Sequence, residues 1–431
     1  MPRRNFWFLV LVLVVCLACH LRASRSGQVL SYAMGQIERR FLEPVGERRL
    51  LEGALDGMMA ELKDQYSVYL RPKVVAEFEQ SLDQRFGGVG VEIILDPATK
   101  QLTVASPLFG APAYEAGIRP RDRILRIDGR STQGLSLEDA ADLMKGKPGA
   151  AVLLTVQHEG ETEPVEIRVV RAEVQVATVL GDTRNADGSW DYFLEGCDRI
   201  GYLRVNIFGE RTAEEMDQVL QRLVAQGMRG LVLDLRDDPG GVLQAAVKIC
   251  NMFLRSGVIV TTRYRDGTVR QGFEAVEEGT YPEFPVAVLV NKYSASASEI
   301  VAACLQDHGR GVVVGQRTYG KGTVQEVVYL PGGQGVLKIT TASYWRPSEK
   351  NITRLSGTGE DDEWGVRPDP GYEVKLEGDE LIRWVRWRRD RDMSRSARSP
   401  DPDAKPADRR LPLEADPQLA KAVQYVDKAG Q

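Results

Sequence analysis

From about residue 200 the chain alternates between short apolar runs and segments that carry helical signals. IGYLRVN (200–206) leads into a helix opened by Thr212, with Glu215 three residues on. LVLDLR (231–236) leads through DDPGG into a second helix. VAVLVN (286–291) leads through KYSAS into a third, and GVVVG (311–315) follows. Strand–helix–strand repetition of this kind builds a largely parallel sheet with helices on its faces. Ligands of such sheets gather beyond the carboxyl ends of the strands. The glycine turn after Arg236 and the serine run after Asn291 both fall at that end, so the alternation predicts that they face one site.

The run NKYSASASEI (291–300) holds serines at 294, 296 and 298. Ser296 with Glu299 also has capping-box spacing, so a plain helix start satisfies the same residues. A serine becomes a good nucleophile only when a base takes its proton. Of the three histidines, His20 lies in the N-terminal run, His158 in a β-rich stretch, and His308 several helical turns beyond Ser296. The G-x-S-x-G elbow is absent. A Ser–His–Asp triad is therefore disfavoured.

Lys321, in RTYGKGTVQ, is the other candidate base. Gly320 and Gly322 permit close backbone approach, and Tyr319, Val324 and Val327 make its surroundings apolar. Desolvation lowers a lysine pKa, and a base working near neutrality needs to fall from about 10.4 to roughly 7–8. Gln325, four residues on, shares a face with Lys321 in a strand, where its amide could hold the amine. A surface lysine between turn glycines fits the same letters. DLRDDPGG has two readings as well. It is either a strand, tight turn and helix start, or a turn whose Gly240 and Gly241 N–H groups stabilise an oxyanion. In the second reading the N–H after the serine and the positive end of its helix add to the effect.

At 431 residues the chain exceeds one compact core, and its net charge of −5 singles out no partner class. Nucleic acid is not expected as a partner. Cys16 and Cys19 sit in the N-terminal run, and Cys197, Cys250 and Cys304 are scattered, so no metal site is expected. Arg3 and Arg4 precede an apolar run from Phe6 to Cys19 and then polar HLRASRSG, the pattern of an export signal or short anchor. Helical periodicity follows, as in LLEGALDGMMAELKD (50–64). From Phe86 the texture changes to short strands, with Asp128-Gly129 as a turn and a helix start at Ser136-x-x-Asp139. A hairpin with Glu159-Gly160 near its turn completes this β-rich module. Near the end, RWVRWRRDRDMSRSARSPDPDAKP reads as a solvated insert before a closing amphipathic helix, with contact to an anionic membrane surface or nucleic acid as the alternative.

Taken together, NKYSASASEIVAACLQDHGRGVVVGQRTYGKGTVQ and LVLDLRDDPGG resemble the signature of the carboxyl-terminal processing, or tail-specific, peptidases. YSVYL (66–70), FGGVGVEI with AGIRPRDRILRIDG, WGVRPD (364–369) and the closing DPQL extend the likeness over most of the chain. The resemblance implies a Ser–Lys serine endopeptidase with no cofactor, cleaving protein substrates near their free C-termini. Ser296 would be the nucleophile, Lys321 the base and Gln325 the residue that orients it. Ala297 N–H, with Gly240 or Gly241, would form the oxyanion hole, and Asp307 would have a structural role. A PDZ domain binds an extended C-terminus as an added strand. Gly87, Gly88, Val89 and Gly90 would present N–H groups to its carboxylate, Val91 would continue into the binding strand, and Ala140 and Met144 would line the side-chain pocket.

The expected fold class is α+β/α/β multidomain. A signal peptide or anchor (1–24) precedes a helical N-terminal region (25–82), a PDZ domain (83–173) and a βα protease core (174–378) of the Clp protease/crotonase type. An Arg-rich linker and C-terminal helix (379–431) close the chain. The resemblance and the leader together imply export to the periplasm or cell envelope, compatible with a membrane tether and a homo-oligomer. Two departures stand out. The family's DLRNNPGG-like segment is DLRDDPGG here, adding negative charge at Asp237 and Asp238, and the Arg/Trp-rich insert has no counterpart in the family pattern. The rival readings are a non-catalytic peptide-binding scaffold and a small-molecule-binding relative of the core. Retention of Ser296, Lys321 and Gln325 together argues against both.

Overall fold

A computed structural model describes residues 25–75, 85–392 apart from 97–98, 109, 186–187, 282–283 and 356, and 412–430. The expected signal segment and residues 393–411 of the Arg-rich stretch lie outside these. Among the described residues no helix is long and apolar enough to cross a membrane.

The described chain forms two units. The first contains helices α1 (Arg25–Arg40) and α2 (Glu47–Glu61), strand β1 (Val68–Leu70) and residues 325–340. β1 pairs antiparallel with the chain at 336–338, Val68 opposite Lys338 and Leu70 opposite Val336. Thr340 N–H donates to Ser67 Oγ at 3.0 Å. This pairing draws 325–340, which the sequence assigns to the protease core, into the N-terminal unit.

The second unit begins with the β-rich module. Its strands are β2 (Arg85–Gly88), β3 (Val91–Leu95), β4 (Leu102–Pro107), β5 (Arg123–Ile127), β6 (Arg130–Ser131), β7 (Ala151–Gln157), β8 (Val165–Val170) and β9 (Ala172–Gln175). Two helices, α3 (Pro112–Glu115) and α4 (Leu137–Met144), accompany them. The main sheet runs β3-β4-β5-β7-β8 with β6 beside β5, and β2 pairs only with β9. FGGVGVEIIL is thus two strands, parted at Val89–Gly90. Asp128 and Gly129 both have positive φ, as a two-residue hairpin turn between β5 and β6 requires. Ser136 caps α4 by accepting Asp139 N–H at 3.1 Å.

The core follows with short β10 (Val179–Leu180), β11 (Thr183–Arg184) and β12 (Trp190–Asp191). Then come β13 (Ile200–Val205), α5 (Thr212–Ala225), β14 (Gly230–Asp234), α6 (Leu243–Asn251), β15 (Gly257–Arg263) and β16 (Val269–Ala275). β17 (Val286–Val290), α7 (Ala297–Asp307), β18 (Val312–Gly315), β19 (Thr323–Tyr329) and β20 (Val336–Trp345) continue the chain. α8 (Gly378–Asp392), α9 (Pro412–Ala415) and α10 (Pro417–Ala429) end it. One sheet has the order β10-β13-β14-β17-β18, parallel from β13 to β18. Both faces are buried, which explains the unbroken apolar runs. Leu231, Leu233, Val286 and Val288 face the cluster that includes residues of α5, α6 and α7. Val232, Ala287 and Leu289 face the cluster that holds Leu419, Ala422, Val423 and Val426 of α10. The Thr212/Glu215 spacing does not close a capping box. Thr212 Oγ1 instead accepts Gly209 N–H (2.8 Å), and Glu215 Oε2 accepts Thr178 N–H (2.7 Å), fastening β10 to α5.

The tail departs from the solvated insert expected of it over 378–392. Trp384, Arg388 and Arg391 are buried, and Arg391 Nε donates to Asp182 Oδ1 at 2.9 Å. The DPQL stretch works as a dock. Asp416 Oδ1 accepts Leu419 N–H at 2.9 Å, capping α10, and Pro417 fills the first turn. Asp416 also accepts from Arg236 (2.8 and 3.0 Å) and Trp384 Nε1 (3.0 Å). Arg236 in turn grips Asp234, whose Oδ2 takes the Tyr202 hydroxyl at 2.6 Å. Arg236 thus ties the strand beneath the glycine turn to the last helix. Arg236→Ala leaves two carboxylates buried without their cation, and breaking such a pair costs about 3–5 kcal/mol. Urea unfolding followed by tryptophan fluorescence should show that loss, and a change under about 1 kcal/mol would contradict it.

Candidate active site

β14 and β17 are parallel neighbours, Leu231 opposite Val286 and Asp234 opposite Leu289, so the loops after them leave the sheet side by side. Side chains then lace the loops together. Asp237 N–H donates to Asn291 Oδ1 (3.1 Å) while Asn291 Nδ2 donates back to Asp237 Oδ1 (2.9 Å). Ser294 Oγ donates to Leu235 O (2.7 Å) and Ser298 Oγ to Asp238 O (3.1 Å). The two outer serines are therefore fasteners. The alternation in the sequence brings the glycine turn and the serine run to one place, as expected of it.

Ser296, between them, is nearly buried and has φ +56° and ψ −112°. A residue with a Cβ holds such a conformation only where its surroundings enforce it, and strain of this kind clusters at functional sites. Ala295 N–H is held by Asp238 O (3.0 Å) and Ser296 N–H by Glu299 Oε2 (2.9 Å). Gly240 presses against the same turn: a Cβ added there would lie 2.5 Å from Ala295 O, 2.7 Å from Ala297 N and 2.8 Å from Ser296 Cβ. Only glycine fits. Gly240 N–H donates to Asp238 Oδ1 at 2.8 Å, and Ala297 opens α7, whose leading N–H groups have no partner within the helix.

The third segment follows β18. Glu299 is wholly buried, and its carboxylate accepts four hydrogen bonds: from Ser296 N–H, Lys321 N–H (2.8 Å), Gly320 N–H (2.7 Å) and Thr318 Oγ1 (2.5 Å). One oxygen, Oε2, holds both the Ser296 and the Lys321 amides. Burial pushes the Glu299 carboxyl up to about 6, against the pull of those donors. Tyr319 N–H donates to Ser294 O (3.0 Å), a second tie between the segments. Lys321 is half-buried, and its flanking glycines are not those of an open surface turn. A Cβ on Gly320 would lie 2.7 Å from Arg354 Cβ and 2.9 Å from the Trp364 ring, and one on Gly322 would lie 2.6 Å from Thr353 Oγ1. Trp364, which opens the WGVRPD stretch, has Arg317 over its ring at 3.5 Å and Arg354 at 4.2 Å.

Gln325 lies in β19, and its amide donates to Thr340 Oγ1 at 3.3 Å. Asp307 is engaged by Arg346 (2.6 and 2.8 Å) and Ser348 N–H, a clamp at the far end of α7. His308 Nε2 bonds Val258 O (2.7 Å), and His158 pairs with Asp122 (2.8 Å) in the β-rich module, so neither described histidine serves Ser296. Among the described residues no cluster of His, Cys, Asp or Glu is placed to hold a metal.

In the β-rich module Gly87 and Gly88 belong to β2, opposite Glu173 and Ala172 of β9. Val89 is a core residue whose carbonyl accepts Ala113 N–H at 2.8 Å, and Gly90 (φ 72°) turns the chain into β3. Val91 begins β3, which is an edge strand of the main sheet. Met144 ends α4 and is buried with Ala140 in the module's core.

At Asp238 the glycine turn carries the acid that the sequence reads as added charge. That side chain is completely buried, and burial pushes its carboxyl well above the ordinary range, against the pull of the Gly240 and Ser298 donors. The sequence also shows Glu299 only as a helix-cap letter. Its hold on a segment some twenty residues away depends on α7 and β18 packing side by side, which no local spacing encodes.

Comparison with known proteins fits this architecture. The model of peptidase family S41 matches residues 199–369, that of the PDZ domain 103–158, and that of the activating protease CtpB N-terminal domain 24–73. The carboxyl-terminal-processing protease of Synechocystis sp. is 35% identical over 342 residues, covering 79% of this chain and 75% of that protein. The carboxy-terminal-processing protease of Bartonella bacilliformis is 33% identical, covering 83% and 80%. Carboxy-terminal processing protease CtpB of Bacillus subtilis is 33% identical, covering 72% and 62%. A photosystem II D1 C-terminal processing protease aligns over 83% of this chain and 96% of its own, with TM-score 0.47 and 27% identity. Identity at this level over three quarters of a relative's length, with matches to the S41 and PDZ models, makes the chain a member of the carboxyl-terminal processing protease family, a serine-type peptidase with a PDZ domain.

Proposed function

We propose that the chain is an exported endopeptidase that cuts protein substrates near their C-termini with a Ser296–Lys321 dyad. The observation that carries this reading is the shared Glu299 carboxylate, which fixes the Ser296 and Lys321 backbones to one point. Ser296 Oγ attacks the scissile carbonyl carbon while its proton passes to neutral Lys321 Nζ. Negative charge on the carbonyl oxygen is met by Gly241 and Ala297 N–H groups and the N-terminal end of α7. As the C–N bond breaks, Lys321 gives the proton to the leaving amine. Water then repeats the cycle on the acyl ester and frees Ser296. Gln325 enters as the orienting residue on the family motif alone.

The open edge of β3 and the adjoining α4 suit a substrate tail added as a strand, with Gly90 and Val91 at its carboxylate end. Export to the periplasm or cell envelope rests on the Arg3/Arg4, apolar and polar order of the first residues. The carboxyl-terminal processing named for the relatives supports the choice of substrate end.

The dyad is tested with an unfolded reporter bearing a free apolar C-terminus. Ser296→Ala and Lys321→Ala should each lower kcat by about a thousandfold or more while still binding the tail. Cleavage by Ser296→Ala would mean another nucleophile, and binding by all three proteins with no cleavage would favour a scaffold. A second outcome follows from Glu299, which is surrounded by donors only. Its protonation turns an acceptor into a donor, so activity should fall as pH drops below about 6. Stability should move the other way. A folded pKa above the ordinary 4.5 adds stability that is present below 4.5 and lost as pH rises through about 6. Glu299→Gln should lower kcat roughly tenfold to a hundredfold with KM nearly unchanged. Parallel pH–rate and pH–melting curves that fall together on the acid side would contradict this.

A further inference from the structure

Asp238 stands out among the buried groups that the cleavage scheme does not use. Its side chain is completely buried, Oδ1 accepts Gly240 N–H at 2.8 Å, and Oδ2 has no hydrogen-bond partner among the described residues. Its backbone oxygen accepts Ala295 N–H (3.0 Å) and Ser298 Oγ (3.1 Å). One residue therefore holds the glycine turn through its side chain and the serine turn, on both sides of Ser296, through its main chain.

We propose that Asp238 is a positioning residue of the oxyanion hole and that it works as the neutral acid. The proposal rests on the Ser296–Lys321 reading above. By occupying Gly240 N–H, Asp238 fixes the turn so that Gly241 N–H and Ala297 N–H remain for the oxyanion. Its charge state then matters, because a carboxylate here would sit beside the point where negative charge develops and oppose it.

Burial favours the neutral form, against the Gly240 and Ser298 donors, and the charged groups nearby are engaged elsewhere. On its own loop, Asp237 is paired with Asn291, and Arg236 is engaged by Asp234 and Asp416. From α7 it meets Ser298 Oγ, while Glu299 turns its carboxylate to the Ser296 and Lys321 amides. Asp238 makes no ion pair among the described residues. A neutral acid leaves one hydrogen bond unmade at Oδ2, whereas the ionised form would add an uncompensated buried charge. Burial accordingly raises its carboxyl well above the usual range. The acid has the shape and acceptor of a carboxamide, so asparagine, the residue of the family pattern here, can make the same bond to Gly240 without being able to ionise.

The test is steady-state cleavage of a tail-bearing peptide by wild type, Asp238→Asn, Asp238→Ala and Ser296→Ala. The pH range runs from about 6 to 10, with melting temperature and tail binding recorded for each protein. Asp238→Asn should match wild-type kcat within about threefold near neutrality and keep its activity on the alkaline side, where wild type declines. Asp238→Ala should lose kcat by about tenfold or more at every pH, with KM within about twofold and tail binding retained. The proposal fails if wild type and Asp238→Asn share one alkaline limb, if Asp238→Asn is as impaired as Asp238→Ala while still folded, or if Asp238→Ala equals wild type. Cleavage by Ser296→Ala would instead sink the dyad reading. An inactive Ser296→Ala together with superimposed wild-type and Asp238→Asn profiles removes Asp238 alone.

Discussion

One buried carboxylate organises this site. Glu299 sits three residues into the helix that Ser296 begins, and it takes donors from that serine's backbone and from the Thr318–Lys321 segment. A charged group in a dry interior is costly unless its lone pairs are filled, and here four donors fill them. Neither segment can move without orphaning that carboxylate. The strained backbone of Ser296 is held by the same set of bonds, so strain at the serine and placement of the lysine are two effects of one interaction. Catalysis by positioning needs such rigidity, because displacements of about 1 Å are enough to lose two orders of magnitude.

Beneath the site, rigidity comes from burial. The parallel sheet is covered on both faces, and the loops that carry chemistry leave it at the carboxyl ends of β14 and β17. α10 closes one face with Leu419, Ala422, Val423 and Val426, and Asp416 locks it to Arg236, two residues before Asp238. A buried ion pair contributes little net stability by itself, but it fixes partner and register. The last helix of the chain is in this way part of the platform for the glycine turn.

Much of this was legible in the letters because the periodicities are strong. Continuous apolar runs between helical signals mean a doubly covered parallel sheet, and Ser136, Asp128-Gly129 and Asp416-Pro417 are local signals whose geometry is set by neighbours in sequence. Long-range pairing was not legible. Residues 325–340 join the N-terminal helices through β1, and Trp384 and Arg391 lie buried, although the surrounding letters are those of a solvated segment. Asp238 shows the same limit in electrostatics. Its letter says charge, and only the fold shows the side chain to be completely buried with no ion pair among the described residues. Glu299 was visible as a helix cap, but its grip on Lys321 N–H depends on packing between elements.

The proposed cleavage turns on Ser296 as the activated serine and Lys321 as the residue that activates it. Reaction of the intact protein with a fluorophosphonate, followed by peptide mass mapping, reads this without a substrate. A single adduct on Ser296 is expected in the wild type and none in Lys321→Ala. An adduct on Ser294 or Ser298, or equal labelling with and without Lys321, would contradict it.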